Sequence, residues 1–387
     1  MRAIPSWAAG PSQKAGGNGA SVQAAAGEVA ERLLAHLRRE LEEPALAYAE
    51  PPARVVGGFE TKIYGFCLSG APETWSPPLM LRVFPAHAEP SRARREAAVH
   101  GALAGMSFPA PRVLLVCEDV GVLGSTFVVM ERLPGRMMLA DVFSPARVVL
   151  LLPRVLGAVP RMLAETQAWL HSLDTEALLR ALDEADVPAE GAGRAGVSRR
   201  MATVGGQLED MQRRVEASSL DGLVAGLEWL LAQRPPEPKR LAICHGDFHP
   251  LNVLMDGGRV SGVVDWAMTV VADPAFDVGN TKVLLALAPL DLPAALRPLA
   301  SAVCPAMANR YYKAYRRQRV VDGEAVRYYE ALRCIMELVW VAEGRLAVAA
   351  GDASQITNPW AAPRMTERLL SHFRKITGVE SSVPSVL

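Results

Sequence analysis

The residues whose types and spacing suit chemistry lie in one segment that ends at Asp265. Asp247 and Asn252 stand five positions apart, and Asn252 opens an apolar run. The Asp-Gly-Gly sequence at 256–258 is typical of a tight turn, so the next apolar run should return antiparallel to the first. We therefore expect a hairpin that brings Asp265 beside Asn252.

These groups match the requirements of metal-assisted phosphoryl transfer. Mg²⁺ prefers carboxylate and amide oxygens together with substrate phosphates, and Asn252 and Asp265 could supply the protein ligands. A separate carboxylate has to accept the proton of the attacking hydroxyl, and Asp247 is the candidate for this catalytic base. The alternative is that all three are ordinary turn residues that form local hydrogen bonds.

The segment His245-Gly246-Asp247-Phe248-His249-Pro250-Leu251-Asn252 resembles the HGDxHxxN catalytic loop of the aminoglycoside phosphotransferase and choline kinase-like family. It also keeps the protein-kinase spacing between the catalytic Asp and Asn. The resemblance implies an α+β, bilobal protein-kinase-like fold, with a small β-rich N-terminal lobe and a larger helical C-terminal lobe. It also implies ATP and Mg²⁺ as cofactors.

The same resemblance assigns roles to neighbouring residues. Asp265 matches the metal-binding aspartate of kinases, here in Asp-Trp instead of Asp-Phe-Gly, and Asp273-Pro274-Ala275-Phe276-Asp277 resembles the DPxxD segment whose acids buttress the catalytic loop. We expect His245 to brace the loop rather than to transfer protons. His249 should either support the loop or lie near the phosphoryl group. A zinc site built on this pair is disfavoured because no further Cys/His pair follows.

Candidate nucleotide-binding residues lie in the N-terminal half. Gly57 and Gly58 are expected in the turn over the phosphates, with a plain hairpin as the alternative. Arg82 takes the place of the kinase strand lysine and can hold phosphate oxygens with two donors; the alternative is an exposed strand charge. Glu96 is its expected ion-pair partner, against a solvated helix glutamate. The hinge whose backbone should meet adenine comprises Met130, Glu131, Arg132 and Leu133.

Hydrophobic periodicity predicts the elements that position these residues. Helices are expected at Val29–Leu41 and Ser91–Leu103, and strands at Val55–Val56, Ile63–Leu68, Leu79–Phe84, Arg112–Cys117 and Thr126–Met130. After Gly135 the pattern is mostly helical, apart from a β insert at Leu241–Trp266. The predicted domains are a disordered leader (1–27), an N-terminal nucleotide-binding lobe with a leading helix (28–134) and a C-terminal catalytic and substrate-binding helical lobe (135–387).

Composition bears on the class of partner. Lys plus Arg and Asp plus Glu each number 41, so no net charge favours nucleic acid or an anionic membrane. The apolar runs are shorter than the ~18 residues of a bilayer span. Five scattered cysteines without a CxxC pair indicate reduced thiols. We expect a cytoplasmic protein with a small-molecule partner, without nucleic-acid or membrane partners, and monomeric or weakly homodimeric.

The expected acceptor is a hydroxyl group of a small molecule: a sugar, an antibiotic, or a hydroxyacyl or alcohol metabolite. From Asn280 onward the chain carries about five more basic than acidic residues, which disfavours a polycationic aminoglycoside. A solvated basic helix face is the competing explanation of this excess. The tyrosines of the same region and Trp340 are expected to serve core and surface packing rather than to form a ligand site.

Two other classes of function remain open. A protein kinase is disfavoured because the short step from Asp265 to Asp273 leaves no room for a long activation segment. A catalytically silent nucleotide-binding scaffold is disfavoured because the base and both metal ligands are present.

Overall fold

The computed structural model describes residues 19–55, 61–86, 88–140, 152–185, 203–290, 294–351 and 358–384. The chain divides into two compact units. The first ends at Pro134 and also includes Glu184 and Ala185, whereas the second takes the other described residues from Gly135 onward. The assignment of these units to nucleotide binding and to catalysis stays a prediction.

In its described residues, the first unit is a five-stranded antiparallel sheet with three helices. The sheet order is β1-β2-β3-β5-β4. Its strands are β1 (Ala47–Arg54), β2 (Lys62–Ser69), β3 (Leu79–Val83), β4 (Val113–Cys117) and β5 (Phe127–Glu131), and its helices are α1 (Gly19–Glu40), α2 (Pro90–Gly105) and α3 (Val120–Leu123). The core of this unit packs α1 residues such as Leu33 and Leu37 against the sheet.

Two boundaries in the first unit differ from the prediction. Helix α1 begins at Gly19, so residues 19–27, assigned to the disordered leader, include helix; alanine-rich sequence favours helix strongly. The first strand is Ala47–Arg54, so it ends before Val55, where the predicted strand begins. Val56, the other residue of that prediction, lies outside the described residues. The observed strand contains Pro51 and Pro52, which an edge strand with irregular register tolerates because an edge does not need every N–H donor. Gly57 and Gly58 lie outside the described residues.

The second unit is mostly helical, and the two units together confirm the predicted α+β class. Its helices are α4 (Ala158–Leu170), α5 (Thr175–Ala185, whose last two residues count with the first unit), α6 (Val204–Ala217), α7 (Asp221–Ala232), α8 (Pro274–Ala286), α9 (Arg297–Gln318), α10 (Gly323–Ala349) and α11 (Pro363–Thr377). Among the described helices, none combines the length and apolarity needed to cross a bilayer.

Short strands interrupt these helices. They are β6 (Arg136–Met137), β7 (Ala242–Cys244), β8 (Val253–Asp256), β9 (Arg259–Val263) and β10 (Val270–Ala272). Strands β8 and β9 form the predicted hairpin, with Asp256 opposite Arg259 across the turn. The β insert extends to Ala272, beyond the predicted end at Trp266, because β10 pairs with β7. Strand β6, which pairs with β8, is too short to produce a sequence pattern.

Helices α8 and α10 approach each other closely at Gly279. A Cβ atom at this position would lie 2.8 Å from the carbonyl oxygen of Val326 and 3.0 Å from the amide nitrogen of Glu330. Of the aromatic residues in this region, four tyrosines are buried, Tyr311, Tyr315, Tyr328 and Tyr329, whereas Tyr312 and Trp340 are partly buried. All five cysteines are free thiols.

Candidate active site

The loop that joins β7 to β8 carries the His-Gly-Asp sequence, and its geometry requires glycine at the second position. Gly246 has a φ of +80°, and a Cβ atom there would lie 2.2 Å from the carbonyl oxygen of Met268. Both the left-handed backbone and the close approach exclude a side chain. This glycine therefore sets the path that delivers Asp247.

Asp277 holds the start of this loop. Its carboxylate accepts the N–H groups of His245 (2.8 Å) and Gly246 (2.7 Å), and it lies 3.1 Å from Nε2 of His171. Burial alone would raise the pKa of Asp277, but its contact with His171 outweighs this effect and the pKa is lowered. Asp273, the other acid of the segment, instead caps α8 by accepting the N–H of Ala275. Only Asp277 contacts the loop backbone through its carboxylate.

Three further side chains hold the loop carbonyls. Asn280 Nδ2 and Arg333 Nη1 donate to the carbonyl of Gly246 at 3.1 and 2.9 Å. Thr281 Oγ1 donates to the carbonyl of Phe248 at 3.0 Å. Sequence reasoning missed these residues; Asn280 and Thr281 could have been found from the helical period, because they lie one turn beyond Asp277 on α8.

His245 braces the loop. The N–H of Asp247 donates to its Nδ1 at 3.2 Å, and its Nε2 lies 3.0 Å from the carbonyl oxygen of Val264. Because Nδ1 accepts, the neutral ring carries its proton on Nε2 and donates to Val264. Burial lowers the pKa of His245, which favours this neutral form. The ring thus ties the loop to the end of β9, in line with the expected bracing role.

His249 supports the loop and lies beside Asp247, whereas a position near the phosphoryl group stays a prediction. Its Nδ1 accepts the N–H of Leu251 at 3.2 Å, which is loop support. Its Nε2 lies 3.4 Å from Oδ2 of Asp247, beside the candidate catalytic carboxylate. Among the described residues, the group of potential metal ligands is His171, Cys244 and Asp277, which does not include either loop histidine.

Asp247 is held by groups of opposite or complementary polarity. Asn252 Nδ2 donates to its backbone carbonyl at 2.9 Å and to its Oδ2 at 3.2 Å, and Arg333 Nη2 donates to its Oδ1 at 2.8 Å. Burial alone would raise the pKa of Asp247. The His249 ring and the Arg333 guanidinium outweigh burial and hold the pKa well below its usual range, so the carboxylate is ionised at neutral pH.

The hairpin brings the two candidate metal ligands to one end of the strand pair. Val253 pairs with Val263, and the N–H of Val264 donates to the carbonyl of Asn252 at 2.9 Å, so Asp265 follows directly on the partner strand. Asp265 has a φ of 67°, a strained conformation for a residue other than glycine that is common at functional sites. Because the amide nitrogen of Asn252 donates to Asp247, its amide oxygen is the atom suited to a hard cation.

In the first unit, Arg82 on β3 and Glu96 on α2 form an ion pair. Arg82 Nη1 lies 3.1 Å from Glu96 Oε2, and the two side chains are 11% and 2% exposed. Arg92 also approaches Glu96, at 3.8 Å. The structure contradicts both alternatives considered for these residues, since neither is a solvated surface charge.

Two backbone N–H groups of the predicted hinge donate hydrogen bonds to other parts of the protein. The N–H of Glu131 donates to the carbonyl of Arg112 at 2.9 Å, and the N–H of Arg132 donates to the carbonyl of Pro78 at 2.8 Å. These two donors cannot bind adenine at the same time. A contact between adenine and this segment stays a prediction.

A β-rich unit with an Arg82–Glu96 ion pair and a helical unit that carries Asp247, Asn252 and Asp265 are the composition of a kinase-like fold. Residues 71–319 match the phosphotransferase enzyme family, APH. This match spans more than half of the chain, which therefore belongs to that family.

Two relatives of known sequence illustrate the breadth of the family. Acyl-CoA dehydrogenase family member 11 of Gallus gallus is 32% identical over 187 residues, which are 48% of this chain and 22% of that protein. An aminoglycoside 3'-phosphotransferase of Streptomyces fradiae is 33% identical over 180 residues, 45% of this chain and 58% of that enzyme. The chain thus matches less than two thirds of the length of either relative.

Solved structures share the fold. A candidate aminoglycoside phosphotransferase from Ralstonia eutropha has a TM-score of 0.61 at 22% identity, covering 89% of this chain and 98% of that one. A thermostable mutant of the aminoglycoside phosphotransferase APH(4)-Ia, in a ternary complex with AMP-PNP and hygromycin B, has a TM-score of 0.51 at 17% identity, covering 90% and 99%. These likenesses confirm the predicted bilobal protein-kinase-like fold.

The two acids of the Asp-Pro-Ala-Phe-Asp segment should differ sharply in their contribution to stability. In Asp277→Asn, an amide group replaces a buried carboxylate oxygen that accepts hydrogen bonds, so we expect a loss of about 3 kcal/mol or more. Asp273→Asn is the matched control, because asparagine caps a helix as well as aspartate does, and its effect should stay within about 0.5 kcal/mol. Urea unfolding compares the variants; equal losses would contradict the distinction.

Proposed function

We propose that the protein transfers the γ-phosphoryl group of ATP to a hydroxyl group of a small molecule. The observation that carries this proposal is the placement of Asp247. Its side chain is 22% exposed, whereas Asp277 in the same network has no exposed side-chain surface. Only Asp247 of these two carboxylates is therefore accessible to a substrate, while the surrounding groups fix its orientation.

The proposed step forms a bond between the acceptor oxygen and the γ-phosphorus and breaks the bond between that phosphorus and the bridging oxygen, so ADP leaves. The proton of the acceptor hydroxyl passes to the carboxylate of Asp247. In a loose transition state most of the acceleration comes from positioning and charge stabilisation, so a weakly basic carboxylate suffices. His249 would contribute by holding Oδ2 of Asp247, and His245 by holding the loop.

The donor set at the end of the hairpin fits Mg²⁺. The amide oxygen of Asn252 and the carboxylate of Asp265 are hard oxygen ligands, and a magnesium site completes its octahedral shell with water and substrate phosphates. When bound, Mg²⁺ would neutralise negative charge on the phosphate oxygens. In the first unit, Arg82 would bind phosphate oxygens of the nucleotide while Glu96 fixes its guanidinium.

The acceptor we propose is neutral or anionic, with a hydroxyacyl compound on an anionic carrier as the favoured class. Three basic side chains near the C-terminal end of α9 are exposed, Lys313, Arg316 and Arg317. They would attract an anion and repel a polycation. The likeness to acyl-CoA dehydrogenase family member 11 supports an acyl compound, whereas the likeness to the Streptomyces fradiae enzyme supports an aminoglycoside.

An assay of ATP consumption separates these acceptors. The compared substrates are 3-hydroxybutyryl-coenzyme A, a neutral sugar, kanamycin and casein. We expect the coenzyme A ester or the sugar to be phosphorylated in preference to kanamycin, because the exposed basic residues disfavour a polycation. Efficient turnover of kanamycin at low salt would contradict the acceptor class, and turnover of casein would favour a protein kinase.

The metal assignment predicts a difference between two aspartates of one hairpin. Asp265→Asn keeps the size of the side chain and the tolerance for the left-handed backbone, but it removes the charge that would bind Mg²⁺. We expect activity to require much higher Mg²⁺ concentrations or to be lost. The matched control is Asp256→Asn at the turn, which should leave the Mg²⁺ dependence unchanged. Equal responses of the two variants in a Mg²⁺ titration would show that Asp265 is not a ligand.

The central test of the proposed function is Asp247→Asn. This variant preserves the shape of the side chain and removes its charge, so kcat should fall by at least ~10²-fold. ATP affinity should remain nearly intact, since Asn252 and Asp265 still hold the metal. An ATP titration followed by single-turnover phosphorylation measures both quantities. A variant that reacts at close to the wild-type rate would rule out the catalytic assignment, even with the fold correct.

A further inference from the structure

We propose that Arg333, together with Glu337, is a positioning residue that sets the orientation of the Asp247 carboxylate toward the acceptor hydroxyl. The inference rests on the proposed function and deepens it. Arg333 lies on α10, 86 positions beyond Asp247 in the chain, and it belongs to none of the loop motifs.

The guanidinium of Arg333 binds the loop at two points. Its Nη2 donates to Oδ1 of Asp247 at 2.8 Å, and its Nη1 donates to the carbonyl of Gly246 at 2.9 Å. Glu337, one helical turn further along α10, lies with its Oε1 2.5 Å from the same Nη2. A guanidinium group is rigid and planar. Its contacts with Gly246, Asp247 and Glu337 therefore fix the orientation of its plane, and the contact with Asp247 then fixes the orientation of the Asp247 carboxylate.

The two oxygens of Asp247 are thereby made inequivalent. Arg333 takes Oδ1, whereas Oδ2 faces Asn252 Nδ2 at 3.2 Å and His249 Nε2 at 3.4 Å. Rotation of the carboxylate about its bond to Cβ would break the contact with Arg333. The arginine therefore keeps one oxygen away from the acceptor and leaves the other beside His249 and Asn252, of which Asn252 is a proposed metal ligand.

Arg333 acts through Asp247 rather than on a substrate. Its side chain is 3% exposed, against 22% for Asp247. The contacts described for its guanidinium go to the carbonyl of Gly246 and to the carboxylates of Asp247 and Glu337. Replacing a whole buried ion pair by apolar groups is often neutral, whereas removing one partner leaves the other charge buried and unpaired. Arg333→Met is therefore expected to cost stability, and the positioning role has to be tested on rates.

The test is a double-mutant cycle between Arg333 and Asp247 in the full-length protein. Arg333→Met, Asp247→Asn and the double variant are compared with wild type. The rates are those of phosphorylation of 3-hydroxybutyryl-coenzyme A and of ATP hydrolysis, in which water is the acceptor. A misplacement of about 1 Å can cost roughly 10²-fold, so Arg333→Met should lower kcat by about 10- to 10²-fold while KM for ATP changes less than about twofold.

The double variant should react no more slowly than Asp247→Asn alone, because residues that act as a unit give non-additive losses. Arg333→Lys keeps one donor and should recover part of the lost rate. Arg345→Met is the matched control: this arginine of α10 binds the carbonyls of Ala361 and Pro384 and the hydroxyl of Thr366, so its loss should lower stability and leave kcat unchanged.

The outcomes separate the inference from the proposed function. Asp247→Asn at near wild-type rate overturns both. If that variant is impaired, then an Arg333→Met enzyme with normal kcat, or a double variant slower than Asp247→Asn by the full Arg333→Met factor, overturns the positioning role alone. Should Arg333→Met fail to fold, Arg333→Lys and Glu337→Gln replace it in the same cycle. Additive losses in those cycles overturn the proposal equally.

Discussion

The loop that joins β7 to β8 is buried but irregular, so its backbone polar groups need partners from other parts of the fold. Asp277 accepts the two N–H groups at its start, and Asn280, Thr281 and Arg333 donate to its carbonyls. These four side chains come from α8 and α10, which pack closely at Gly279. A shift of either helix would leave buried polar groups without hydrogen bonds, and each such group would cost about 1–3 kcal/mol of folding free energy. The placement of the whole site follows from this requirement.

The same network contains one carboxylate that supports the loop and one that is partly exposed. Asp277 has no exposed side-chain surface, and every contact described for it is to backbone N–H groups or to histidine. Asp247 is partly exposed and is held by side chains that can be changed without altering the backbone path. Asp247 and Asp277 are the same type of residue, but they differ in burial and in the geometry of their partners. Both differences come from the fold and not from the residue type.

The first unit illustrates how far local pattern reaches. The strands that contain Arg82 and the hinge have continuous apolar sequence, and the structure has them within a few residues of the prediction. Strand β1 contains two prolines, so its sequence does not resemble a strand. It can still form because it is an edge strand that pairs with β2 on one side only, and an edge strand tolerates proline. The pairing of Arg82 with Glu96 was expected from resemblance, whereas its burial is a property of the packed unit.

The sequence by itself determined the features that act over short distances. These are the five-residue spacing of Asp247 and Asn252, the hairpin that precedes Asp265, and the family. The tertiary structure alone decided which distant side chains hold the loop, most clearly Arg333, 86 positions from its partner. Local rules carry no information about such pairs, because contacts at this separation depend on how two helices pack and not on the residues between them.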